Sequence, residues 1–169
     1  MAISLYRISV PVMVRGFGVL RTYMDKAEAF ANERGQPSAD LVQTRLAADM
    51  LPLAGQVQRA SDAAKGGVAR LANTQAPSFP DVETTVDELR QRIDRTVEFL
   101  RSLRAEDIDG NEDLPIDLKL RGVKNTLRAE DYVLEVVIPN FFFHVTTAHD
   151  ILRHQGLKIG KRDYLGHFD

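Results

Sequence analysis

The chain has 169 residues, of which 44% are hydrophobic and 27% charged, and its formal net charge is −2. This composition predicts a globular protein with a single domain over residues 1–169, and the charge excludes a general attraction to nucleic acid or to an anionic membrane. The chain has no cysteine, which excludes disulfides, thiolate catalysis and cysteine-ligated metals. Arg7 and Arg15 interrupt the apolar N-terminal stretch. It therefore predicts neither a signal peptide nor a membrane span, and we expect a cytoplasmic protein.

The first predicted helix runs from about Ser4 to Glu33, and Pro11 is predicted to kink it or to mark its true start. Apolar residues recur along it at helical spacing, and further apolar residues widen this face. So wide a face predicts contact with two neighbouring elements, or with one neighbour and a second subunit. We therefore predict a homodimer whose two-fold interface involves this helix, alone or with the last helix.

The second predicted helix runs from Ser38 to about Asn73, with a kink at Pro52. Its apolar positions repeat every three or four residues, which is the spacing of a helical bundle. Met50, Leu53 and Val57 are among them and are predicted to lie in the core. Asp49 and Gln56 lie on one flank of this stripe. They either face a cavity or belong to a solvated flank.

A linker over residues 76–80 leads to the third predicted helix, which begins at Asp81 or at the later threonine pair. A turn-like acidic stretch follows this helix. Residues 116–120 then alternate between apolar and polar, which predicts a short strand that forms a hairpin with residues 123–127.

Helical character resumes at Glu130, with a break predicted at Pro139, and the last helix ends near Gly156. Its predicted core-facing residues are Leu134, Ile138, Phe141, Val145, Ala148 and Leu152. The tail that follows is predicted to dock Tyr164, Leu165 and Phe168 on the other helices. Four long helices with short links, plus the extended insert, predict an all-α antiparallel four-helix bundle.

Three of the four histidines lie on the last helix. His144 is about 100° from the core-facing stripe, so it should be partly buried, either as a hydrogen-bonded core residue or as a site residue. His149 is predicted to be a half-exposed surface residue, and His154 in the last turn gains from the helix dipole. Two histidines of one helix share a metal when they are three or four residues apart, and these are not.

Five stretches of the chain together resemble an uncharacterised bacterial family of unknown function, grouped with the DinB/YfiT-like four-helix bundles. These stretches are residues 49–58, 60–66, 139–148, 151–156 and 160–166. The resemblance implies this fold and, frequently, a homodimer. The wider superfamily includes metal-dependent thiol S-transferases, a maleylpyruvate isomerase and proposed hydrolases. Those members hold a divalent metal with one histidine on the second helix and a pair spaced by four on the last helix.

The sequence departs from that three-histidine set. The second helix has no histidine, so Asp49 is its nearest candidate ligand, and position 148, four residues after His144, is alanine. Asp49, His144 and a water are chemically compatible with zinc or nickel, but two protein ligands hold a metal weakly. We therefore expect no cofactor, with a divalent metal at these two residues as the alternative.

Three functions remain open at this point. The missing metal site favours a small-ligand-binding or interaction protein, with Asp49, Gln56 and His144 as the candidate ligand-binding residues. The second is a metal-dependent transferase, isomerase or hydrolase with an altered site, in which Asp49 and His144 exchange protons or hold the metal. The third is a purely structural dimer. Whether the protein is an enzyme is left open by the residues.

Overall fold

The computed structural model describes residues 4–120 and 123–166. Its elements, in chain order, are α1 (Leu5–Glu33), α2 (Ser38–Val42), α3 (Leu53–Leu71), α4 (Val86–Ser102), α5 (Ala105–Ile108), β1 (Pro115–Leu120), β2 (Val123–Arg128), α6 (Ala129–Tyr132), α7 (Ile138–His154) and α8 (Lys161–Leu165). A π-helical turn, Val133–Val137, joins α6 to α7.

The long helices α1, α3, α4 and α7 pack around a common apolar core. Helix α1 contacts α4 and α7, and α3 contacts the same two helices. The buried residues include seven of those that the periodicity places in the core: Leu53, Val57, Leu89, Ile93, Val145, Ala148 and Leu152. Removal of these faces from water is the main stabilising contribution. The predicted all-α bundle is confirmed.

Helix α1 begins where the sequence predicts. The Ser4 hydroxyl caps the helix by accepting a hydrogen bond of 3.2 Å from the Arg7 amide. The helix continues through Pro11, whose side chain is exposed. Pro11 therefore does not mark the start of the helix.

The second predicted helix is wrong in its first half. Only the short α2 forms there, residues 43–52 are turns and bends, and α3 begins at Leu53 with Pro52 as its N-cap. Proline has no amide hydrogen for a helix interior, so Pro52 lies at the helix boundary and not at a kink. Met50, predicted in the core, is only half-buried, and Leu46 is exposed.

The link between α3 and α4 is longer than predicted. Residues 72–85 run back along α3 to its start. The contact that shows this is a hydrogen bond of 2.9 Å from Gln58, near the start of α3, to Glu83, just before α4. Beyond α4, Asn111 donates to the Leu71 carbonyl at the end of α3. Helices α3 and α4 therefore run in the same direction, so the bundle is confirmed but its predicted antiparallel order does not hold for this pair.

Of the two predicted starts of the third helix, the threonine pair is the observed one. The predicted hairpin of the insert is confirmed. Thr85 is the N-cap of α4, and it exchanges hydrogen bonds with Glu88 in a capping box. The insert is an antiparallel hairpin in which Pro115 pairs with Arg128 and Leu118 with Asn125.

The break predicted at Pro139 takes the form of the π turn that precedes it. A proline ring clashes with the carbonyl four residues earlier, and a wider turn relieves that clash. The extra residue in the turn changes the buried positions before it. Val133 and Val137 are buried there, whereas Leu134, predicted in the core, is 50% exposed.

The tail docks on the bundle in part. Tyr164 packs against the core, and its hydroxyl lies 2.8 Å from the Thr146 hydroxyl. Leu165 is exposed, so its predicted docking is wrong, and Phe168 lies outside the described residues. Within the described ranges, no helix has both the length and the apolar composition that a bilayer crossing needs.

Candidate functional site

A cavity of about 340 Å³ lies along the seam between α3 and the continuous helical stretch from α6 to α7. Its lining residues are Arg59, Asp62, Ala63 and Arg70 on α3, and Tyr132, Val136, Val137, Asn140 and His144 on the facing stretch. The two sides run antiparallel, because Gln56 meets His144 and Arg70 meets Tyr132. We call this cavity the α3–α7 groove.

The groove has polar ends and an apolar middle. Ala63, Val136 and Val137 form the apolar wall, and the last two belong to the π turn. Residues four apart on a helix share a face, which is why positions 132, 136, 140 and 144 all reach the groove. A π turn within a helix occurs frequently at functional sites.

Gln56 fixes the protonation of the His144 ring. The Gln56 side chain is buried, and its Nε2 donates a hydrogen bond of 2.9 Å to the Leu51 carbonyl. Its Oε1 therefore faces Nδ1 of His144, at 2.8 Å. An amide oxygen can only accept, so Nδ1 carries the hydrogen in the neutral ring and Nε2 keeps its lone pair.

The surroundings of His144 favour this neutral ring. Burial lowers the pKa of His144 below its ordinary value of 6.5, and the positive charge of Arg59 lowers it further. Near neutral pH, Nε2 can therefore accept a hydrogen bond or a proton from a molecule in the groove. Among the residues that the structure describes, none makes a hydrogen bond to Nε2.

The predicted site is brought together only in part. Gln56 and His144 meet as described, and the expected partial burial of His144 is confirmed. Asp49 lies instead on the exposed connection before α3, and it is not among the described residues that line the groove. The prediction that placed Asp49 on a helix flank is wrong, because Pro52 ends the irregular segment three residues later.

The residues in the groove do not fit a three-histidine metal site. Position 148 is a buried alanine, and the residue of α3 that faces His144 is a glutamine. In the described parts of the chain, no group of three or more histidine, aspartate or glutamate side chains is placed to hold a metal ion. Asp62, the one carboxylate described in the lining, already has cationic partners.

Three cations surround the Asp62 carboxylate. It lies 2.7 Å from Nζ of Lys65, 3.1 Å from the Arg92 guanidinium and 3.2 Å from the Arg59 guanidinium. Arg92 is 1% exposed and also pairs with Glu83 at 2.9 Å. The charge of Asp62 is therefore well compensated, and the groove is not acidic.

Sequence reasoning missed a second histidine contact, away from the groove. The hydroxyl of Tyr23, a fully buried residue of α1, lies 2.7 Å from Nδ1 of His149. Burial and the nearby Asp163 raise the pKa of Tyr23. Periodicity places each residue on its own helix face but cannot predict which side chains of α1 and α7 meet. His154 is exposed in the last turn of α7.

The groove residues Arg59, Asp62, Arg70, Tyr132 and Asn140 were also missed. A signal was present on the side of the groove that runs from α6 to α7. Positions 132, 136, 140 and 144 repeat every four residues, and this spacing marks one helix face. Periodicity alone does not show that such a face borders a cavity.

Comparison with known proteins agrees with the fold. The chain matches the family described as a domain of unknown function, DUF1993, over residues 5–165. A solved structure of a DinB family member from Shewanella denitrificans is 41% identical in sequence, with a TM-score of 0.91. That match covers 97% of this chain and 93% of the other. None of the curated proteins matches the chain. The chain therefore belongs to the DUF1993 family, an uncharacterised family with a DinB-like helical bundle.

Proposed function

We propose that this protein binds a small organic molecule in the α3–α7 groove, with His144 as the central contact. The observation that carries the proposal is a cavity of about 340 Å³ next to a histidine whose free nitrogen is defined by Gln56. Cavities of about 300–1,000 Å³ with a few directed polar groups are typical of small-molecule sites.

The lining favours a molecule that is polar at its ends and apolar between them. Ala63, Val136 and Val137 offer van der Waals contact to a short hydrocarbon segment. His144 offers an acceptor at one end, so the molecule needs a hydroxyl or amine hydrogen there. A binding role is supported better than a metal-dependent reaction, since the donors needed for a firmly held ion do not meet in the groove.

Thermal unfolding with a panel of small metabolites, grouped by functional group, tests this proposal. A molecule at about 100 times its dissociation constant stabilises the folded state by about 2.7 kcal/mol, which raises Tm by roughly 5–10 °C in a chain of this size. We expect at least one hydroxyl- or amine-bearing class to raise Tm of the wild type.

Variants locate the binding within the molecule. His144→Ala should lose the increase in Tm, whereas His154→Ala, on the exposed last turn of the same helix, should keep it. Asn140→Ala removes an exposed lining side chain that has no part in the Gln56 contact, and it should reduce the increase. The proposal fails if no class stabilises the wild type, or if His144→Ala responds to the same compounds as the wild type does.

A further inference from the structure

The end of the groove opposite His144 carries Arg70, for which the described residues supply no acidic partner. Nη1 of Arg70 donates hydrogen bonds to the Tyr132 hydroxyl at 3.0 Å and to the Gly66 carbonyl at 3.3 Å. The guanidinium carbon lies 5.9 Å from the centre of the Tyr132 ring. In the part of the chain that the structure describes, Arg70 makes no ion pair.

The other charges that line the groove are already paired. Arg59 contacts both Asp62 and Asp81, and Asp62 contacts Lys65 in turn. Because these opposite charges compensate one another, Arg70 supplies the uncompensated charge among the described lining residues, and this charge is positive. A guanidinium in this position is suited to a carboxylate or phosphate, whose oxygens can accept two parallel hydrogen bonds.

The two polar ends are separated by a distance that a small molecule can span. The hydrogen bond to Gly66 turns the Arg70 side chain back along α3, towards the His144 end of the groove. Gln56 contacts His144, and from Gln56 α3 rises about 15 Å to Gly66 at about 1.5 Å per residue. After a hydrogen bond of about 2.9 Å at each end, a chain of about six carbon atoms fills the remainder.

We propose that the ligand of the α3–α7 groove is a short anion with a hydrogen-bond donor at its far end, its anionic group on Arg70 and Tyr132 and its donor on Nε2 of His144. This inference rests on the proposed binding function and adds the chemical class of the ligand. Carboxylates and phosphate esters share the required chemistry, and the experiment separates them.

The test is a chemical-shift titration of the ¹⁵N-labelled full-length protein with matched probes. The probes are ω-hydroxy carboxylates of three to six carbons, the plain carboxylates and the α,ω-diols of the same lengths, and the corresponding ω-hydroxyalkyl phosphates. We expect the best hydroxy acid to bind at least tenfold more tightly than both the carboxylate and the diol of its length. If a hydroxyalkyl phosphate binds more tightly still, the anion is a phosphate and the class is upheld.

Two arginine variants identify the anion contact. Arg70→Gln should lose the tenfold preference for the hydroxy acid over the diol, while its affinity for the diol stays within twofold. Arg153→Gln, an exposed position of α7 outside the groove lining, should keep the preference. A well-dispersed spectrum of each variant shows that it is folded.

The outcomes distinguish the two proposals. If the diol or the plain carboxylate binds as tightly as the hydroxy acid, or if Arg70→Gln keeps the preference, the ligand class is wrong while binding in the groove stands. If no probe shifts the signals of the groove residues, this inference is overturned, and the proposed function fails as well only if the metabolite panel also leaves Tm unchanged.

Discussion

The Gln56 amide links the Leu51 carbonyl to the His144 ring through hydrogen bonds of 2.9 and 2.8 Å. An unpaired buried amide costs about 1–3 kcal/mol, so both contacts resist disruption. Because the amide is uncharged, it orients the imidazole without favouring the imidazolium ion, as a carboxylate would. The arrangement keeps an acceptor available near neutral pH.

Stability should fall as the pH falls below 6.5. Burial lowers the pKa values of His144 and His149 from 6.5, and for His149 this outweighs the nearby Asp150. The unfolded chain therefore binds more protons than the folded chain in this range, and the stabilisation present above pH 6.5 is lost as pH falls through the folded pKa values. Urea unfolding at pH 7.5 and pH 5.0 measures the difference.

A double variant, His144→Gln with His149→Gln, assigns this loss to the two histidines. Its unfolding free energy should change less between the two pH values than that of the wild type. The carboxylate of Glu83, whose lowered pKa starts from 4.5, contributes mainly at more acidic pH. Equal pH dependence in the variant and the wild type would contradict the assignment.

Single leucines test the core. Leu53 and Leu152 are 0% and 1% exposed, so replacing either by alanine leaves a cavity and should cost about 2–5 kcal/mol. Leu134→Ala, at a position that is 50% exposed on the π turn, should cost about 0.5 kcal/mol or less. Urea unfolding measures all three variants, and equal costs at the three positions would be incompatible with these helix faces.

Among the elements, α1 and α7 approach closely at Gly16. A Cβ atom at this position would overlap the buried ring of Phe141, whereas Gly18 of the same helix faces open space. Alanine is the better helix former at both positions. Gly16→Ala should therefore lower the unfolding free energy by about 1–3 kcal/mol, and Gly18→Ala should raise it by about 0.5–1 kcal/mol.

Thermal or urea unfolding compares these two glycine variants directly. They add the same methyl group to the same helix, so the difference between them reports the contact with α7. If Gly16→Ala is as stable as Gly18→Ala, the helices do not pack at this distance.

The elements that the sequence predicts correctly are those in which local signals agree. The helix start at Ser4, the helix start at the threonine pair and the alternation in the insert each depend on residues close in sequence. The errors have long-range or mixed causes. At residues 43–52 a continuing apolar repeat concealed the irregular segment between the end of α2 and the start of α3 at Leu53. At the π turn one extra residue displaced Leu134 from the buried face.

The candidate site likewise combines a feature that a local pattern predicts with features that depend on long-range contacts. Partial burial of His144 follows from its position beside the apolar stripe of α7. Its pairing with Gln56 depends on how α3 and α7 align, which no local pattern contains. Among the described residues Arg70 makes no ion pair, which is still further from the sequence, because it depends on the groove carboxylate, Asp62, being held by other cations.

At the scale of the whole molecule, the wide apolar face of α1 has partners within the chain. Helix α1 packs on both α4 and α7. The large apolar side chains described as exposed lie elsewhere: Leu46, Leu51, Val82, Leu134, Phe143 and Leu165. Two neighbouring helices within the chain therefore account for part of this wide face, and the homodimer, with its interface on α1 alone or with the last helix, stays a prediction.

Light scattering at micromolar concentration measures the assembly. We expect twice the chain mass of 18.9 kDa, as the symmetry of most small oligomers favours a two-fold pair. A mass equal to that of one chain would refute the dimer, and the binding proposal would be unaffected because the groove is formed within one chain.

The central claim is that Gln56 leaves Nε2 of His144 as an acceptor at the edge of the α3–α7 groove. A long-range ¹H–¹⁵N spectrum of the histidine rings at pH 7.5 tests it most directly, because the two ring nitrogens of a neutral imidazole differ strongly in shift. We expect His144 to show a protonated Nδ1 and an unprotonated Nε2, and the Nε2 signal to move when the best ω-hydroxy carboxylate is added. A spectrum in which Nε2 of His144 carries the proton, or in which its signal is unchanged by every probe, would contradict the account.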